Sequence, residues 1–161
     1  MTEPRSQPAA TSARIRQFLS FAVDGRPYCV GIADVREIRQ WMRATPLPNQ
    51  PPHVLGVLNL RGSIVPVQDL RILLGAPAPD PVDTNVIVIV QVGTRRAGLL
   101  VDSVSDILSL AEEEIQPVPI GRTRDGSEAL LEALATQGEQ MVGILDLARV
   151  LEAEMPEAAD A

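Results

Sequence analysis

Residues 65–74, VPVQDLRILL, and residues 142–151, VGILDLARVL, are built alike. Each is an apolar run that leads into an aspartate, Asp69 or Asp146, and continues with aliphatic residues at helical spacing. An aspartate there can cap a short helix, because its carboxylate accepts from first-turn N–H groups that have no intrahelical partner. Leu70, Leu73 and Leu74, like Leu147, Val150 and Leu151, then form one apolar face, and Gly75 supplies a C-terminal stop for the first helix. The two segments lie 77 positions apart, which directs attention to an internal repeat.

The repeat extends outward from them. Gly25 and Gly93, 68 positions apart, each close a first strand. Val35, Glu37 and Ile38 correspond to Val104, Asp106 and Ile107 at a spacing of 69. Between these points the chain reads as short strands: QFLSFAVDG, PYCVGI, REIRQWM and SIVPVQ, then NVIVIVQVG, RAGLLVD, SDILSL and QMVGIL. GAPAPDPVDTN, residues 75–85, separates the two sets, since Pro77, Pro79 and Pro81 exclude a helix or a central strand. Two similar sets of strands, neither large enough for a core of its own, predict two small β-barrels or curled sheets packed on each other. Residues 1–16 and 152–161, polar or rich in Ala, Glu and Pro, read as loose tails around a folded region 17–151.

Composition narrows the function. A chain of 161 residues can bury roughly 70% of its unfolded surface. Its aromatic residues Phe18, Phe21, Tyr28 and Trp41 all precede residue 42, so the rest of the core must be Val, Ile and Leu. Net charge is −7 and no lysine is present, which argues against nucleic acid as partner. Cys29 is the single cysteine, so no intramolecular disulfide or cysteine-built zinc site is expected, and a reducing compartment fits. No apolar run reaches the ~18 residues of a membrane span, and no signal-peptide core stands at the start. The expectation is a cytoplasmic protein with no direct membrane insertion.

Residues that could carry chemistry do not converge. His53, the one histidine, follows Pro51 and Pro52 and has no sequence neighbour to orient it. Cys29, between Tyr28 and Val30, reads as a small buried apolar residue. The acidic run Glu112–Glu114 reads as a solvated loop or helix start. VGTRRAGLL places Gly93 and Gly98 at a hairpin without the helix that a phosphate-cradling loop must open. No catalytic residue, metal site or cofactor is expected, and an interaction module is the better class.

Arg61, in NLRGSIVPVQDLR (59–71), admits two readings. It can be a turn residue whose stem lies over the sheet, with Asn59 tolerating left-handed backbone and Gly62 accepting positive φ. It can also present a planar fork to a carboxylate, with Glu37 the partner at a groove rim.

FLSFAVDGRPYCVGIADVREIRQ, PPHVLGVLNLRGSIVPVQDLR and VIVIVQVGTRRAGLLVDSVSDILSL resemble, in order and spacing, the CheW family of bacterial chemotaxis coupling proteins. The resemblance runs from about Gln17 to Leu151 and weakens over 119–139. It implies a mainly β fold of two five-stranded SH3-like barrels, intertwined on a shared hydrophobic core, with short helices. It further implies a non-catalytic adaptor joining the cytoplasmic tip of a chemoreceptor to the histidine kinase CheA, whose regulatory domain shares the fold. Carried over by position, the receptor-binding surface comprises Ile32, Val35, Glu37, Arg61, Val86 and Ile107. An adaptor of a related chemosensory pathway, serving twitching motility or second-messenger control, is the first alternative. A small-ligand domain or enzyme on a barrel scaffold is the second, and a pocket with convergent polar groups would distinguish it.

Overall fold

The computed structural model describes residues 14–118 and 130–154. Eleven strands run β1 (Ile15–Val23), β2 (Arg26–Gly31), β3 (Val35–Gln40), β4 (Val54–Leu60), β5 (Ser63–Asp69), β6 (Val86–Val92), β7 (Arg95–Val101), β8 (Ser103–Ala111), β9 (Ile115–Pro117), β10 (Leu131–Gln137) and β11 (Gln140–Leu145). Helix α1 (Leu70–Leu73) follows β5 and helix α2 (Leu147–Glu154) follows β11. The proline-rich stretch 75–85 contains neither helix nor strand.

Two mixed sheets result. One is ordered β8-β1-β2-β11-β10-β9 and the other β3-β6-β7-β5-β4. The first two strands of each set thus share a sheet with the later strands of the opposite set: β1 and β2 with β8–β11, and β6 and β7 with β3–β5. Each sheet has one parallel junction, β2 with β11 and β5 with β7. One sheet has six strands where five were expected, and the reason is visible in the other. After β3 the chain crosses to the far edge of its sheet, where Thr45 and Val57 exchange backbone hydrogen bonds of 2.9 Å, joining both edges. After β8 the chain makes the same crossing, and there the contact lengthens into the three residues of β9 against β10.

The repeat extends to irregularities of the ladder. Arg36 is the extra residue of a bulge in β3, between the pairs Val35–Val90 and Glu37–Ile89. Ser105, 69 positions on, is the extra residue of the matching bulge in β8. Leu55 in β4 and Glu132 in β10 are likewise extra, at a spacing of 77. Both helices start at an aspartate, as the opening segments predict. Asp69 Oδ1 accepts from the Arg71 N–H at 3.0 Å, and Asp146 Oδ1 from the Arg149 N–H at 3.3 Å.

Three cores follow from alternation along these strands. Val88 and Val90 of β6 face a shared core with Leu19 and Phe21 of β1, Leu99 of β7 and both helices. Ile87 and Ile89 point the other way, into a core with Leu58, Val65, Val67 and Leu100. Phe18, Cys29, Leu110, Val142 and Ile144 form the third, within the other sheet. A strand between two cores must be apolar on both faces, which explains the unbroken VIVIV of residues 86–90.

β4, β9 and β10 stand outside the strands read from the sequence. The hairpin expected at VGTRRAGLL joins β6 to β7, with Gly93 in its turn at φ +62° and Gly98 inside β7, where a Cβ would come within 2.8 Å of Ile87 Cγ2.

Candidate functional site

Glu37 is on β3, an edge strand paired only with β6. Its carboxylate accepts from Arg61 Nη2 at 2.6 Å and from Arg39 Nη1 at 2.7 Å. The side chain of Glu37 is 24% exposed and that of Arg61 74%, so the carboxylate is sheltered while the arginine reaches into solvent. The two donors hold the Glu37 carboxyl below its usual range, the Arg39 hydrogen bond first and the Arg61 hydrogen bond second. Two guanidinium groups around one carboxylate leave the trio with net positive charge.

The β4–β5 hairpin aims Arg61. Leu60 pairs with Ser63, and the two residues between them, Arg61 at φ +53° and Gly62 at φ +90°, make the turn. Both central residues at positive φ match the twist of a two-residue hairpin. Asn59 is not the left-handed residue; it accepts instead, its Oδ1 receiving the Gly62 N–H at 2.9 Å. Arg61 takes that backbone region itself, which is uncommon for a residue with a Cβ.

Ile32, Val35 and Val86 are half-buried and all pack against the shared core. Ile107 is 51% exposed and belongs to the other sheet, on β8, opposite Leu19 of β1. The structure therefore brings Glu37 and Arg61 into contact and gathers Ile32, Val35 and Val86 on one core, while Ile107 occupies the repeat-related edge. Its counterpart by the repeat, Ile38 of β3, is 47% exposed. Arg39 was missed in the sequence; its signal was the Glu-x-Arg spacing, which puts two side chains on one face of a strand.

The other residues weighed for chemistry stand apart from this trio. Cys29 is fully buried, and burial pushes its thiol up to about 12, which suits a packing role. The His53 carbonyl accepts the Asp69 N–H at 2.6 Å. Glu112–Glu114 form a 3-10 turn in which Glu114 Oε1 accepts the Ala111 N–H at 2.8 Å. Among the described residues no group of three or more His, Cys, Asp or Glu is placed to hold a metal ion, and no helix is long and apolar enough to cross a membrane.

Residues 17–155, nearly the whole described fold, match the model of the CheW-like domain. The chain belongs to the CheW family. It is 42% identical over 144 residues to chemotaxis protein CheW of Rhizobium meliloti (strain 1021), covering 89% of this chain and 92% of that one. To chemotaxis protein CheW of Bacillus subtilis (strain 168) it is 31% identical, covering 89% and 91%. The crystal structure of scaffolding protein TtCheW from Thermoanaerobacter tengcongensis superposes with a TM-score of 0.76 at 30% identity, covering 83% of this chain and 90% of that one. CheW membership makes the chain a scaffold of chemotaxis signalling, and the two-sheet architecture is that of its family.

Proposed function

We propose that this CheW-family chain is a non-catalytic cytoplasmic adaptor that couples the tips of chemoreceptors to the histidine kinase CheA. The receptor hairpin rests on the surface that includes Ile32, Val35, Glu37, Arg61, Val86 and Ile107. The observation that carries the reading is the Arg61–Glu37 contact of 2.6 Å. It sets a strained, exposed arginine against the edge strand β3, whose half-buried Val35 packs on the shared core as do Ile32 in the preceding turn and Val86 on the adjoining β6, a composition suited to a helix laid in a groove. A similar chain, Protein FrzA of Myxococcus xanthus, is 28% identical over 145 residues. The higher identity to the Rhizobium meliloti and Bacillus subtilis proteins, 42% and 31%, favours the chemotaxis reading over a related pathway.

Contacts with the kinase fall elsewhere in this reading. Ile64 on β5 and Met141 on β11 are 63% and 57% exposed and lie 77 positions apart, so the repeat presents one large apolar side chain at the same place on each sheet. We assign these two positions to barrel-to-barrel association with the regulatory domain of CheA.

The test is reconstitution with receptor cytoplasmic fragments and CheA, reading kinase activation and fragment binding. Arg61→Ala and Glu37→Lys should lower both, and Arg61→Ala should leave the thermal midpoint nearly unchanged. Val67→Asp, which buries a charge at a fully buried position, should unfold the protein. Were Arg61→Ala to unfold it likewise, Arg61 would be a structural residue; were it to change neither binding nor activation, the receptor surface would lie elsewhere.

A further inference from the structure

Arg36 and Arg96 share one acceptor. Arg36 Nε donates to Gln91 Oε1 at 3.3 Å, and Arg96 Nε and Nη2 donate to the same oxygen at 3.4 and 3.3 Å. Arg36 Nη1 also donates to the Ala33 carbonyl at 3.0 Å. Gln91 Nε2 donates to the Gly93 carbonyl at 2.9 Å, which fixes the amide with its oxygen toward the arginines. Two guanidinium groups, charged at any physiological pH, are thus gathered about one neutral amide. Among the described residues neither forms an ion pair with a carboxylate.

The fold does not require this arrangement. Arg36 is the extra residue of the β3 bulge, and the matching bulge of β8 is built with Ser105. A hydroxyl suffices there, so the backbone has no need of a guanidinium. Like charges held this close repel each other. Each fork spends only part of its N–H donors on Gln91 and Ala33 and leaves the rest for an oxyanion. Because the chain carries −7 overall, its field opposes a polyanion such as nucleic acid or an anionic membrane. A single carboxylate on a protein meets the local positive charge without that opposition.

We propose that Arg36 and Arg96, positioned by Gln91, form an oxyanion site that takes an acidic side chain of the protein segment docked along β3. The proposal rests on the reading of β3 as the receptor edge: Arg36 stands between Val35 and Glu37, and Ala33, whose carbonyl it holds, adjoins Ile32.

The experiment measures binding of a chemoreceptor cytoplasmic fragment from the same organism by titration calorimetry. Its arms are the unaltered full chain, the double variant Arg36→Gln with Arg96→Gln, the variant Arg61→Ala, and fragments with each acidic residue of the tip neutralised in turn. The double variant should bind about tenfold more weakly, with shallower salt dependence and an unchanged thermal midpoint. One neutralised fragment should lose about the same affinity for the unaltered chain and be indifferent to the double variant, as a double-mutant cycle requires of direct partners. Should the double variant bind normally while Arg61→Ala weakens binding, the oxyanion site falls and the β3 reading stands. If neither variant weakens binding, both fall. A weakened double variant that couples to no acidic residue of the tip overturns the carboxylate assignment.

Discussion

Arg61 holds a left-handed backbone at φ +53° while its side chain reaches Glu37, so one residue carries both a conformational cost and an ion pair. For an L-residue that backbone region costs about 1 kcal/mol, a cost glycine escapes. Arg61→Gly should therefore keep or raise the thermal midpoint while losing receptor binding as fully as Arg61→Ala. A lowered midpoint in Arg61→Gly, measured by calorimetry, would show that the contact with Glu37 outweighs the strain. Glu37 also gives a pH signature. Its carboxyl is held low by Arg39 first and Arg61 second, so whatever it contributes to stability is present at neutral pH and is lost as pH falls through its depressed folded value. The difference in midpoint between the unaltered chain and Glu37→Gln should hold from neutral pH down to the usual carboxylate range and vanish below it. A difference that grew on acidification would contradict the assignment. At this scale the sequence disclosed the pairing of Arg61 with Glu37 but not the second donor, because Arg39 stands among other polar residues in REIRQWM and only the strand conformation sets its side chain beside that of Glu37. The left-handed residue was misplaced onto Asn59 for a related reason: Asn is the usual occupant, and its role as acceptor depends on a hairpin register that residue type alone does not fix.

Among the elements, β4 depends on one glycine. Gly56 sits at φ +139°, and a Cβ there would lie 2.2 Å from the Thr45 carbonyl oxygen, in the crossing segment that joins the two edges of the sheet. Backbone must give way, so Gly56→Ala should destabilise the fold by on the order of 3 kcal/mol; a denaturant midpoint equal to that of the unaltered chain would refute this account of the closure. Helix α1 carries a second constraint. Arg71, nearly fully buried, donates to both Asp69 oxygens at 2.9 Å and to the Pro79 carbonyl at 2.8 Å, and lies 3.7 Å from Asp102. Removing it strands a buried carboxylate, so Arg71→Met should cost about 3–5 kcal/mol, part of which Asp69→Asn in the same chain should restore. Equal losses in the single and double variants would show that the pair is not the cause. The cap at Asp69 was legible in the sequence; the buried arginine was not, because an Arg after a capping Asp ordinarily faces water. β4 and β10 were hidden for different reasons. Gly56 interrupts the alternation of VLGVLNL, and LEALATQ is composed of good helix formers that become a strand only because β9 and β11 flank them.

At the level of the whole molecule, the exposed pair Ile64 and Met141 predicts an association with CheA that is mainly apolar. Its strength should change little between low and physiological salt, and Ile64→Asp or Met141→Asp should weaken it while the fold survives. A steep loss with salt would point to charge steering instead. The duplicated architecture itself was legible, since VPVQDLRILL and VGILDLARVL keep their spacing and both end in capped helices. Which strand joins which sheet was not, because periodicity reports the buried face of a strand and is silent on its neighbour. With β3 and β8 each completing the sheet begun by the opposite set, half a chain would carry an unfinished sheet and could finish it only by meeting a second half. The geometry is that of a strand-exchanged dimer in which two copies are joined head to tail. Residues 75–85 are the join, and they turn an encounter that would depend on concentration into one set by the length of a tether. A chain of this design keeps both sheets complete at any dilution.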